Sequence, residues 1–278
     1  MRLTSWNLLH GQGATNLKAI ARELAVDGSD FVIGVQEVDA YQDRSDQVFQ
    51  VSDLASELGA KYFAYARCVI GTPGIKWRKL HDQEDVLITN ALGDLGNNQN
   101  IASDNPPSYG IGLITNIPVT KWQTLALGKS PIGLPLAIMV GGNENEIGAS
   151  AKPKIRFIYV KDEPRYAVAA QLENGYTVVN THLSFVPFVN LYQLWQIKRW
   201  LAKMPGKHIL LGDLNLPFNI PVKFSRWRSL ISTASYPTWK PAIQFDYILS
   251  DNVAKDAAHP ISLKSEISDH LPVTIEIN

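Results

Sequence analysis

Short apolar runs separated by polar turns punctuate the chain. Residues 2–6, 31–36, 62–67, 109–115, 155–160, 166–172, 176–180, 245–249 and 273–277 each read as a strand. The run Ile209-Leu210-Leu211 reads as a buried one, ended by Gly212. Helical spacing lies between them. Leu17, Ile20, Ala21 and Leu24 share one face, with Thr15 or Asn16 placed to cap it. Val48, Val51, Leu54, Ala55 and Leu58 predict a helix over 45–58, Leu191 to Leu201 mark another over 189–204, and 224–231 reads as a short one. Strand, helix and strand in succession over 2–36 predict two neighbouring parallel strands. That pairing brings Asn7 and Glu37 to the same sheet edge. Glu173-Asn174-Gly175 is a hairpin signal, because Asn-Gly accepts positive φ. The region 70–107 has no clear period and reads as a long surface insertion, and a polar patch at 141–151 separates the two halves.

The composition changes this picture little but excludes several classes. The 278 residues are 45% apolar and 19% charged, enough for a large core in one α/β domain spanning 1–278 and unlike a disordered chain. Twenty-six basic residues balance 26 acidic ones. The signature of a strong nonspecific nucleic-acid binder is therefore missing, and the basic groups Lys76, Arg78, Lys79 and Lys223, Arg226, Arg228 read as solvated surface. Cys68 is the single cysteine, which excludes an intramolecular disulfide and a cysteine-based zinc site. The first residues lack a signal-peptide pattern and no stretch has the length of a membrane span, so a cytoplasmic protein without integral membrane association is expected.

The candidate chemistry sits at strand ends. Asp213 and Asn215 follow the run 209–211 at a spacing of two, which on an extended backbone points both side chains to one side; the alternative is an Asx-type turn. Asn7, Glu37, His182, Asp246, Asp269 and His270 occupy similar positions beside apolar runs. Each alone is also explained by a turn, a solvated strand end or a structural histidine. Together they offer hard oxygen donors that suit Mg²⁺ or Mn²⁺, and two imidazoles for acid and base work near neutral pH. That set fits metal-assisted hydrolysis of a phosphate ester.

Five motifs, Ser5-Trp6-Asn7, Gln36-Glu37-Val38, Asn180-Thr181-His182-Leu183, Gly212-Asp213-Leu214-Asn215 and Ser268-Asp269-His270, occur in an order that resembles the endonuclease/exonuclease/phosphatase superfamily. Tyr109-Gly110-Ile111-Gly112 and Phe245-Asp246-Tyr247 are weaker matches. The resemblance implies a four-layer αββα sandwich of two mixed sheets, with the site at one edge. It implies that Glu37 is the main metal ligand, with Asn7 and Asp269 nearby as ligands or through water. Asp213 and Asn215 would hold the attacking water and the phosphate, with either Asp213 or His270 as base and Asp246 orienting His270. His182 would be the acid on the leaving-group side, and Glu163 in Glu163-Pro164-Arg165 resembles its orienting carboxylate. Arg165 either contacts phosphate or lies on the surface. Trp239 either stacks on substrate or anchors its loop. Leu9 stands where many family nucleases carry an acidic residue, which leaves a second metal position without a ligand there. The expected activity is a Mg²⁺-dependent phosphoesterase acting on a small-molecule or lipid-headgroup ester in preference to DNA. The alternatives are a nuclease of the same superfamily and a binding module that has lost catalysis.

Overall fold

A computed structural model describes residues 1–12, 14–24, 28–90, 105–140 and 154–278. The first sheet comprises β1 (Arg2–Asn7), β2 (Phe31–Ala40), β3 (Tyr62–Thr72), β4 (Lys76–Arg78), β5 (Leu87–Thr89), β6 (Ser108–Thr115), β15 (Ala258–Ser262) and β16 (Val273–Ile277). The second comprises β7 (Val119–Gly128), β10 (Arg165–Leu172), β11 (Tyr176–His182), β12 (Lys207–Asp213), β13 (Arg228–Ser229) and β14 (Asp246–Ser250). A separate ribbon pairs β8 (Leu134–Val140) with β9 (Lys154–Val160). The first sheet runs β15-β16-β1-β2-β6-β3-β4, with β5 also on β3; the second runs β13-β14-β12-β11-β10-β7. Both are mixed. β1 is parallel to β2 and β11 to β12, while the flanking pairs are antiparallel.

Strand alternation builds the layers. Leu3, Val32 and Leu113 of the first sheet meet Val178, Ile209 and Leu211 of the second in one buried cluster between them. The opposite faces are covered by helices. Trp6, Ile33 and Val35 pack with Leu17, Ile20 and Leu54 from α1 (Ala14–Leu24) and α2 (Gln50–Glu57). Val179, Leu210 and Leu249 pack with Leu194, Ile197 and Leu201 from α3 (Val189–Leu201), next to α4 (Ile220–Ser225). The result is the αββα sandwich, with strands buried on both faces.

A polar pin crosses the inner layer near the active edge. Asn180 on β11 donates from Nδ2 to the carbonyls of Val35 and Gly112 at 2.9 and 2.7 Å, and its Oδ1 accepts from Gln36 Nε2 at 2.7 Å. Gly34 makes room for it: a Cβ there would lie 2.8 Å from Asn180 Oδ1. The Asn180 amide, bonded at both ends, ties the two sheets in one register, while Gln36 Oε1 is left buried without a partner.

Several elements differ from their sequence expectation. The helix predicted over 45–58 begins only at Gln50. Buried Asp39 draws in Arg44 at 2.8 Å and Ser45 Oγ at 3.1 Å, which holds 42–47 as a tight turn. The helix predicted at 224–231 lies earlier, because Arg226 adopts a left-handed φ that ends α4, and Arg228–Ser229 then pairs with β14. Strand β7 mixes apolar and polar residues, its longest apolar stretch being Leu125-Ala126-Leu127, and β15 is Ala258-His259-Pro260-Ile261-Ser262, so neither carries a long apolar run to reveal it. Within 70–107, β3 continues to Thr72 and turns back into β4, while the patch at 141–151 lies outside the described residues.

Candidate active site

Parallel pairing brings the ends of β1 with β2, and of β11 with β12, to one edge of the sandwich. Asp246 opens β14 directly opposite Asp213. A cleft of about 590 Å³ lies there, lined by Asn7, Glu37, Glu163, Arg165, His182 and Asp213, with Asn215, Asp269 and His270 completing it.

Glu37 is not at a strand end, as the apolar run suggested. β2 continues through it to Ala40, and the pairing with β6 slips between Val35 and Val38, so one extra residue bulges out. Glu37 has φ 55° and is the half-buried position in an otherwise buried strand. A bulge with a non-glycine residue at positive φ re-aims one side chain out of the sheet at a cost in backbone strain. Here it aims a carboxylate into the cleft.

Asn7 turns its amide nitrogen to the carboxylates. Nδ2 donates to Glu37 Oε1 at 3.0 Å and to Asp213 Oδ2 at 3.1 Å, while Oδ1 accepts from the Leu9 amide at 3.1 Å. Asp213 is the hub. Its Oδ1 accepts from the Asn215 backbone amide at 3.0 Å. His182 Nε2 stands 3.6 Å and His270 Nε2 3.8 Å from its Oδ2. Burial pushes the Asp213 carboxyl up to about 6, with His270 opposing and Asp246 adding to the rise.

The Asp213–Asn215 spacing does not act through an extended backbone. Asn215 has φ 49° and closes an Asx turn on Asp213. The turn and the site are the same feature: it delivers Asn215 Nδ2 to His182 Nε2 at 3.2 Å and to the Leu183 carbonyl at 3.0 Å. His182 is 4.0 Å from Glu37 Oε1. Burial, then the nearby Arg165 and His270 charges, hold its imidazole well below the usual histidine range. That favours the neutral ring, whose Nε2 receives the Asn215 amide.

His270 is built the other way. It donates from Nδ1 to Asp246 Oδ2 at 2.7 Å, and Ser235 Oγ donates to the same oxygen at 2.6 Å. The Trp6 indole holds the His270 carbonyl at 2.8 Å, and Tyr236 packs its ring 4.9 Å from the imidazole. Burial works against charge, but Asp246, Asp213 and Asp269 outweigh it and hold His270 at about 10. Asp269 is raised by burial, with Glu37 adding to it.

Arg165 is buried on β10 and not a surface residue. Its Nη2 lies 3.5 Å from Asp162 Oδ1, and its Nε has no hydrogen-bond partner. Glu163 lines the cleft, yet no hydrogen bond of the structure joins it to His182. Burial raises it to about 7 against the pull of Arg165. Trp239 is exposed and lies on an adjacent groove of about 1250 Å³ that shares only Leu9 and Asp269 with the cleft. The motifs contain Asn180 and Gln36 but do not reveal the inter-sheet pin, and the segment 235–241 resembles a substrate-side loop without revealing the Ser235 bond to Asp246. Asn180, a buried carboxamide inside an apolar strand, was the signal that could have exposed the pin.

The donor set fits a hard divalent cation. Glu37, Asp213, Asp269 and Glu163 crowd one partly buried site, with Asp246 behind His270, and carboxylate repulsion adds to the rise of Asp269. Such crowding is relieved by a cation. Asp213, Asp246 and His270 also place donor atoms within 4.8 Å of one another, although His270 Nδ1 is engaged by Asp246 Oδ2.

A model described as Endonuclease/Exonuclease/phosphatase family matches residues 4–270. A comparison with curated protein sequences finds no match. Among solved structures, a mannosyl-6-phosphatase of Bacteroides thetaiotaomicron aligns with TM-score 0.56 at 13% identity, over 100% of this chain and 99% of that one. An endonuclease/exonuclease/phosphatase family protein of Leptotrichia buccalis aligns with TM-score 0.59 at 14% identity, over 100% and 99%. A 3'-5' exonuclease of Neisseria meningitidis aligns with TM-score 0.53 at 13% identity, over 100% of both. At such identities the likeness is one of fold.

Proposed function

The chain belongs to the endonuclease/exonuclease/phosphatase family, whose members are hydrolases of phosphoesters, and from that premise we propose a Mg²⁺- or Mn²⁺-dependent phosphoesterase for a small-molecule or lipid-headgroup ester. The observation that carries this is the convergence of two imidazoles, His182 at 3.6 Å and His270 at 3.8 Å, on one carboxylate oxygen of Asp213 beside Glu37.

Glu37 and Asp269 would hold the metal, with Asn7 fixing the Glu37 carboxylate. When bound, the ion supplies neutralisation of phosphate charge. Asp213, pinned at both oxygens, orients the attacking water and accepts its proton. The water oxygen bonds to phosphorus as the bond to the leaving oxygen breaks. His270 is charged and faces the phosphoryl oxygens. His182 flanks the leaving oxygen; an anionic phosphate beside it favours its protonated form, in which Nε2 gives up the Asn215 amide and passes its proton to the leaving oxygen. Arg165, which also lines the cleft, contributes the positive charge of its buried guanidinium. Preorganised charge of this kind supplies most of the rate in phosphoryl transfer.

The test is a substrate panel with Mg²⁺, run against salt. It contains bis-p-nitrophenyl phosphate, lipid-headgroup and sugar phosphoesters, plasmid and short duplexes. Small esters should be cleaved at rates nearly independent of moderate salt, and duplex DNA should bind no tighter than about 10⁻⁴–10⁻⁶ M. Nanomolar duplex binding with a steep salt slope makes the protein a nuclease instead.

A further inference from the structure

The charge of this chain balances only in total. From Asn174 to Phe245 there is one acidic residue, Asp213, against eight lysines and arginines. The two loops that leave the catalytic strands β11 and β12, together with α3 and α4, lie inside that segment.

Those loops each end in an exposed phenylalanine. Phe188 follows β11 and is 81% exposed; Phe218 follows β12 and is 76% exposed. Both are held at positive φ, 68° and 58°, a strained setting for a bulky residue. The loops are tied together by the Leu183 amide on the Asp213 carbonyl at 3.0 Å and Asn190 Nδ2 on the Asn215 carbonyl at 3.1 Å. They form one rim beside the cleft, which Phe185 of the first loop also lines.

The rim continues along α3. Phe188, Tyr192, Trp195 and Arg199 recur at helical spacing on the face opposite buried Leu194, Ile197 and Leu201, and all four are exposed. Tyr192 stacks on Trp195 at 5.5 Å, and the Arg199 guanidinium lies 4.9 Å over the Trp195 ring. On α4, which packs against α3, Phe224 and Lys223 are exposed, as is Arg226 just beyond it. Among the described residues, none of Arg199, Lys203, Lys223 and Arg226 pairs with a carboxylate. An ordinary amphipathic helix hides its aromatic rings. This one turns them outward among unpaired cations.

We propose that the Phe188–Phe218 rim and the outer face of α3 form an interfacial docking surface for an anionic lipid bilayer, set so that a headgroup phosphoester enters the cleft. Aromatic rings with phenylalanine tips, bordered by lysine and arginine and nearly free of acid, are the chemistry of a surface that lies in the headgroup layer. Single-stranded nucleic acid also meets aromatic and basic residues, but on stacking platforms along a cationic groove. Here the rings follow the outer stripe of a helix and two loop tips. The inference rests on the phosphoesterase reading for its substrate, while the docking itself is independent of turnover.

The experiment is vesicle co-sedimentation of the full chain without substrate. Phosphatidylcholine vesicles are compared with vesicles containing about 30 mol% phosphatidylserine. Wild type should partition to the anionic vesicles. Phe188→Ser/Phe218→Ser and Trp195→Ala should each lose ~10-fold or more of that partition. Both variants should keep their circular dichroism and their hydrolysis of a soluble chromogenic diester, which separates docking from folding and chemistry. Lys223→Glu/Arg226→Glu should weaken binding to anionic vesicles alone. Vesicle binding by a protein inactive on every ester supports the surface and refutes the phosphoesterase reading. Absence of wild-type partition at low salt, or undiminished partition of the phenylalanine variant, overturns the proposal. So does binding of an oligonucleotide, and not of vesicles, that these variants abolish.

Discussion

The two histidine flanks of the cleft are built from opposite physics. His270 leans on a carboxylate, Asp246, which Ser235 fixes from behind, and three acidic groups overcome the cost of burial to keep the ring charged. His182 has no carboxylate hydrogen-bonded to it. Its partner is the neutral Asn215 amide, and burial leaves the ring uncharged. Two identical side chains at similar distances from Asp213 are thus pushed in opposite directions, His182 toward the neutral ring and His270 toward the charged one. Environment, and not residue type, assigns their roles. On the proposed mechanism, one flank is preset with positive charge for the phosphate, and the other gains its proton only when an anion arrives.

The most damaging change for both flanks is Asp213→Asn, since it removes the group on which they converge. The expected loss in kcat/KM on a chromogenic diester is ~10³-fold or more with the fold intact by circular dichroism. A loss under tenfold would mean that the two imidazoles do not work through Asp213.

Single variants separate the flanks. His270→Ala and His182→Ala should each lose on the order of 10²-fold on an alkyl ester. A good leaving group needs little proton donation, so a p-nitrophenyl ester should recover part of the His182→Ala loss and none of the His270→Ala loss. Equal recovery of the two would erase the distinction.

A smaller effect sharpens the electrostatics of the His182 side. Glu163 is raised to about 7 from an ordinary 4.5, burial being the main cause. Because its folded value lies above its unfolded one, its contribution is fully present below pH 4.5 and is lost as pH rises through 7. Glu163→Gln should therefore match wild type near pH 4 and be more stable at pH 8 by on the order of 1–3 kcal/mol, seen as a higher Tm. Without a hydrogen bond from Glu163 to His182, its activity should stay within ~10-fold of wild type. A destabilised Gln variant at pH 8, or a loss equal to that of His182→Ala, would give Glu163 the orienting role that the motif implied.

The sandwich was legible where strands are buried on both faces, because burial writes itself as continuous apolar runs such as Ile209-Leu210-Leu211. Edge strand β7, with Val119-Thr120-Lys121 and a largely polar middle, left no such mark. The polar residues of the site were legible as an ordered set, and the structure brings Asn7, Glu37, His182, Asp213, Asn215, Asp246, Asp269 and His270 together. How they arrive was not. A β-bulge at Glu37 and a left-handed Asn215 depend on a partner strand and a turn, which no local spacing encodes. The same holds for Trp239, whose groove borders the cleft at Leu9 and Asp269, and for Glu163, which lines the cleft with no hydrogen bond to His182 among the described residues.

The central claim is that this edge of the sandwich hydrolyses phosphoesters with a metal held through Glu37. It is tested most directly by turnover of bis-p-nitrophenyl phosphate by wild type with Mg²⁺, by wild type in excess EDTA, and by Glu37→Gln with Mg²⁺. Activity should appear in the first reaction, vanish in the second and return when Mg²⁺ is restored, and fall by ~10²-fold or more in the third. Undiminished turnover in EDTA, or a Glu37→Gln protein as active as wild type, would contradict it.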